Sequence, residues 1–244
     1  MTTTEGPNLV VAARFCGPTG SGNGGYVAGR LADFVRTDGA VEVTLREPPP
    51  LDVDLDVRPA DGGRTTLGFG GAVIAEAGPA ELAGHLVDPV DQDTARAAMG
   101  RYTGAESHPF PECFVCGPDR PAPDGLGLRP GRLPDRDGTQ VATVWTPDAG
   151  FAGDDGLVPA YLVWAALDCP GFWCGDPARQ PMVLGRITAA VDVRPRAGDP
   201  CVVVARLLGE EGRKTFAATT AYDADGRVLG RAEQVWITLR THPR

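Results

Sequence analysis

With 244 residues, 42% of them hydrophobic and 23% charged, the chain can bury a large core in one or two domains and is too apolar for wholesale disorder. A net charge of −9 and a single lysine, Lys214, leave no basic stripe for a phosphate backbone, which argues against a nucleic-acid partner. No apolar run reaches the roughly 18 residues of a membrane span, and the N-terminal apolar run at 9–13 lacks the length and basic flank of a signal peptide.

Six cysteines without such a leader are expected to be reduced thiols in a cytoplasmic protein. The 33 glycines and 23 prolines imply frequent turns, as in a chain of many strands.

In chain order, 8–16 reads as a strand, followed by a glycine-rich loop at 17–25. The stretch 26–35 is helical with apolar side chains on most faces, so it must be enclosed. Runs at 40–46, 51–58 and 64–76 read as strands. In the second of these, Leu51, Val53, Leu55 and Val57 alternate with aspartates and Arg58, the period of a strand with one wet face. Residues 78–112 read as a connector with a short helix near 90–100.

The second half repeats the plan. A strand at 139–146 leads through a loop to 157–168, an uncharged run ending in Asp168. Asp154 or Asp155 is the expected cap of this helix, Pro159 suits its first turn, and Pro170 with Gly171 should stop it. Strand-like runs at 182–194, 200–209, 214–223 and 228–240 follow, separated by turn residues that include Asp225-Gly226.

A lone apolar helix needs a sheet curved around it, and short turns make that sheet antiparallel. The expected class is therefore α+β, with two curved antiparallel sheets each wrapping a central helix. The expected units are 1–84 and 113–244, joined by a linker at 85–112.

Two segments carry a family resemblance. Cys113-Phe114-Val115-Cys116-Gly117-Pro118-Asp119, continuing to Asp124-Gly125-Leu126-Gly127-Leu128, resembles the opening of hotdog thioesterases of the phenylacetate-pathway type. Asn23-Gly24-Gly25-Tyr26-Val27-Ala28 resembles the His-Gly-Gly-Tyr start of the central helix in acyl-CoA thioesterases. The helix ending Trp164-Ala165-Ala166-Leu167-Asp168 is similar to the family helix that ends in a functional aspartate. The resemblance implies a double hotdog in one chain acting on an acyl thioester of coenzyme A or a carrier. Asn23 stands where the family has histidine, and the second half has Val158-Pro159-Ala160-Tyr161 in place of the glycine pair, which implies at most one competent site.

Thioester hydrolysis needs a carboxylate to activate water and donors for the developing oxyanion. Asp168 is the candidate base; the Gly24 and Gly25 N–H groups and the Asn23 amide are the candidate donors. The simpler readings are that Asp168 ends a helix and that Asn23-Gly24-Gly25 is a turn. Tyr26, Tyr161 and Trp164 are candidates for lining an acyl tunnel, although aromatics on a buried helix are usually core. Asp33, late in the first helix, reads as a solvated residue.

Cys113 and Cys116, with His108 upstream, are candidate zinc ligands, and Cys169, Cys174 or His85 would have to supply a fourth. One CxxC is half of such a site, so two reduced cysteines and no cofactor are the favoured reading. Gly20-x-Gly22-x-x-Gly25 matches a dinucleotide fingerprint in letters only, because strand follows strand after it. With only Ser21 and Ser107, and His85, His108 and His242, a serine–histidine triad is poorly supported. The alternatives to hydrolysis are a catalytically silent acyl or small-molecule binding module and an acyl-thioester hydratase or dehydratase. The expected partner is a small acyl thioester, with no membrane and with homo-oligomers open.

Overall fold

The computed structural model describes residues 7–120, 123–177 and 179–240. His242 lies outside them. Eleven strands form one sheet: β1 (Asn8–Val10), β2 (Ala40–Leu45), β3 (Asp54–Ala60), β4 (Arg64–Phe69), β5 (Ala72–Ala80), β6 (Gly131–Arg132), β7 (Gln140–Trp145), β8 (Met182–Val191), β9 (Cys201–Glu211), β10 (Lys214–Tyr222) and β11 (Val228–Thr238). The spatial order is β1-β3-β4-β5-β2-β8-β11-β10-β9-β7-β6. Every ladder is antiparallel, so the Gly20–Gly25 fingerprint has no parallel sheet to serve.

The two sheets expected from the sequence are one. Strand β2 of the first half pairs with β8 of the second, from Val41 opposite Ala189 to Thr44 opposite Arg186. Each half alone would leave these N–H and C=O groups open on an edge, and joining satisfies both rows. The outermost strands, β1 and β6, are three and two residues long.

Three α-helices lie among the described residues: α1 (Gly24–Ala32), α2 (Gln92–Met99) and α3 (Ala160–Trp173). Helices α1 and α3 sit together in the main core, with Val27, Leu31, Val163 and Leu167 fully enclosed. Helix α2 covers the other face of the second half's strands. Strand β9 shows why: Cys201, Val203 and Ala205 face the main core, whereas Val202 and Val204 join Ala95 and Ala98 of α2 in a second cluster. A strand buried on both faces reads as a continuous apolar run.

Three local expectations need correction. The run 64–76 is a hairpin, not one strand, because Gly70 (φ 59°) and Gly71 (φ 85°) form a two-residue turn open to glycine. Helix α3 begins at Ala160 with Pro159 at its N-cap and no side-chain cap; Asp155 instead accepts from Leu157 N at 3.0 Å and pairs with Arg194. It also runs through Pro170 to Trp173. A proline costs a helix one hydrogen bond and strains the preceding turn. The carbonyl that loses its donor is that of Ala166; on the next one, Leu167, Gln234 of β11 donates through Nε2 at 2.5 Å, and the same nitrogen donates to Thr219 Oγ1 at 3.1 Å.

Helices α1 and α3 touch backbone to backbone. A Cβ on Gly29 would stand 2.6 Å from Tyr161 Cα and 2.8 Å from Trp164 Cβ. Real contacts of that kind do not occur, so one methyl must push the helices apart. Gly29→Ala is expected to destabilise the fold by about 1–3 kcal/mol, the usual cost of overpacking, measured by urea unfolding.

Candidate active site

Helix α1 starts where Asn23 takes its N-cap, the side-chain Oδ1 accepting from Tyr26 N at 2.9 Å. The other end of that amide turns to α3: Asn23 Nδ2 donates to Asp168 Oδ2 at 3.1 Å. Gly25 N donates to the same oxygen at 2.8 Å. The carboxylate thus sits on the positive end of α1, where an anion is favoured. A Cβ on Gly25 would lie 2.4 Å from Asp168 Cβ, so only glycine allows this approach. The structure therefore brings together Asn23, Gly24, Gly25 and Asp168 from opposite halves of the chain.

Asp168 is 1% exposed. Burial pushes its carboxyl up to about 7, against the pull of the Gly25 N–H; the nearby Cys113 adds to the rise and the Asn23 amide opposes it. Its second oxygen, Oδ1, is buried without a partner. Gly24 N–H, the first amide of α1, also has no hydrogen-bond partner among the described residues. Both residues line a cavity of about 40 Å³, enough for a few waters.

The apolar part of that cavity comes from Phe110, Phe172, Met182, Leu184 and Trp236. None of these stood out in the sequence. Leu184 and Trp236 face each other across β8 and β11, next to a bulge at Val235/Trp236, and no linear pattern announces that pairing. Tyr26, Tyr161 and Trp164 stand elsewhere. Tyr26 stacks on Phe15 at 4.0 Å and meets Tyr161 edge-on at 5.5 Å, and Trp164 packs on Gly29. Asp33 is the exposed C-cap of α1.

Three sulfurs line the same cavity. Cys113, Cys116 and Cys169 hold their Sγ atoms within 4.8 Å of one another. S–H donation from Cys116 and Cys169 holds Cys113 well below the usual thiol range. His108 is adjacent, its Nε2 at 3.4 Å from Cys116 Sγ, while its Nδ1 accepts from Phe110 N at 2.9 Å. Both ring nitrogens are engaged, so His108 offers no free base for hydration chemistry. His85 lies at the surface against Glu233. Cys174 turns its sulfur to the Pro170 carbonyl.

The fold is the hotdog fold. A proposed thioesterase from Novosphingobium aromaticivorans superposes with a TM-score of 0.64 at 14% identity, over 96% of this chain and 95% of its own. A hot dog fold protein of unknown function from Alicyclobacillus acidocaldarius gives 0.58 at 14% identity, over 96% and 93%. The acyl-CoA thioesterase II TesB2 of Mycobacterium marinum gives 0.57 at 13% identity, over 96% and 93%. No family model and no curated protein matches the sequence. The hotdog helices α1 and α3 are thus the two central helices, and the site lies where they meet.

Asn23 carries two tasks in this hotdog site, capping α1 and holding Asp168. Asn23→Ala is expected to cost about 1–3 kcal/mol, the sum of a lost cap and a lost buried hydrogen bond. Asn23→Ser, which restores a cap oxygen but not the reach to Asp168, should recover part of the loss in the same unfolding measurement.

Proposed function

We propose that the chain hydrolyses a short-chain acyl thioester, borne on coenzyme A or an acyl carrier. The observation that carries this reading is the pairing of two unsatisfied groups on one cavity: Asp168 Oδ1 and the Gly24 N–H. A carboxylate oxygen with no partner is the acceptor a water needs. A helix-start N–H on another residue of the same cavity wall suits a developing oxyanion. The thioesterase descriptions carried by similar structures support the reading.

The steps follow from the atoms. Water held at Asp168 Oδ1 gives up its proton to the carboxylate as its oxygen attacks the thioester carbon. The carbonyl oxygen takes the charge against the Gly24 N–H. Collapse breaks the C–S bond, and the thiolate leaves with the proton that Asp168 holds. The products are a carboxylic acid and a free thiol. Asn23 and Gly25 fix the carboxylate by its other oxygen, so the reacting oxygen keeps its aim.

The test is release of free thiol from a series of acyl-CoAs running from acetyl to palmitoyl. Asp168→Asn keeps the shape and the two bonds from α1, and should lower kcat/KM by about 10²–10⁴-fold, the range of general-base catalysis. Full activity in Asp168→Asn would sink the assignment. Ligand binding without thiol release at any chain length would replace hydrolysis by acyl binding.

Cavity size sets a second expectation. A space of about 40 Å³, with Leu184 packed beside Gly24 on its wall, favours short acyl groups. Leu184→Ala is expected to shift the chain-length optimum of kcat/KM upward by several carbons; an unchanged profile would place the acyl group elsewhere.

A further inference from the structure

We propose that Cys113, Cys116 and Cys169 form a three-thiolate site for one zinc ion per chain, on the wall of the same cavity. The geometry points there first. Tetrahedral zinc with bonds of about 2.3 Å to sulfur separates its thiolates by about 3.8 Å. Cys113 Sγ and Cys169 Sγ are 3.8 Å apart, and all three sulfurs fall within 4.8 Å. Three soft donors select zinc among the common divalent ions.

The backbone is shaped to hold the sulfurs in place. Gly117 N donates to the Cys113 carbonyl at 2.9 Å, closing the turn that carries both Cys113 and Cys116. A Cβ on Gly117 would lie 2.4 Å from the Pro111 carbonyl oxygen, so the turn requires glycine. Cys169 arrives from α3, one residue after Asp168.

His108 is adjacent but is not a ligand. Its Nδ1 accepts the Phe110 N–H, so the neutral ring carries its proton on Nε2 and donates toward Cys116 Sγ. An Nε2 holding a proton has no lone pair for a metal. His108 therefore acts as a hydrogen-bond donor to a ligand sulfur, the support that metal-bound thiolates commonly receive. The three S–H protons leave as zinc binds. The fourth position falls to a solute donor from the cavity, since Asp168 and His108 both stand outside the 4.8 Å set.

The test uses the full chain, reduced and stripped with a chelator, then titrated with Co(II) and with Zn(II). The expected result is one metal per chain by elemental analysis. Co(II) should give the thiolate charge-transfer band and the visible bands of a tetrahedral centre, and Zn(II) should displace it. Cys116→Ser and Cys169→Ser should each lose stoichiometric binding, whereas Cys201→Ser and His108→Gln should keep it. The wild-type titration needs no variant to fold. Binding of neither ion would overturn the proposal, as would a Cys113–Cys169 disulfide in the protein as isolated. Loss of metal in His108→Gln equal to that in Cys116→Ser would overturn the three-thiolate ligand set. Thiol release from acyl-CoA is not part of this readout, so failure here and failure of the hydrolase reading are separable.

Discussion

The contact on which the rest depends is the carboxylate of Asp168 resting on the first turn of α1. It joins two halves of the chain at one point, with two hydrogen bonds to a single oxygen. An isolated buried carboxylate is costly, and a helix start is one of the few backbone features that offsets that cost. The contact exists only because Gly25 has no side chain. The same absence at Gly29, one turn on, lets the helices run together. Remove either hydrogen-sized gap and the helices separate, the carboxylate loses its donors, and the cavity loses its floor.

The halves are alike in plan and unlike in chemistry. Helix α1 opens with a capping amide and two glycines, whereas α3 opens with Pro159 and no side-chain cap. The acid near the end of α3 is buried, whereas its counterpart Asp33 on α1 is exposed. A symmetric pair would build two sites. Here the first half supplies two hydrogen-bond donors and the second half the carboxylate that accepts from them.

Much of this could be read from residue order. Buried helices show themselves by being apolar on every face, and the pairing of Asn23, Gly24 and Gly25 with Asp168 follows once both helices are placed in one core. What stayed hidden depends on residues far apart in the chain. Pro170 looks like a helix stop because the strands that enclose α3 on both sides of it lie far along the chain. Cys169 is one of three options for a fourth ligand, with Cys174 and His85, until α3 is docked against the turn at Cys113. The hairpin at Gly70-Gly71 is a different failure, because the signal was local and its flanks, both apolar, masked it. The fusion of two sheets into one is invisible for a further reason. Strands β2 and β8 show ordinary patterns, and nothing in either says which edge it will meet.

The ends of the sheet have a consequence of their own. A row of eleven strands would offer long, flat margins to any neighbouring molecule, and such margins recruit more strands. Here the two margins are formed by β1 and β6, at three and two residues. Each covers only part of the strand beneath it, β1 three residues of β3 and β6 two of β7. The eleven-strand ribbon therefore tapers at both ends among the described residues.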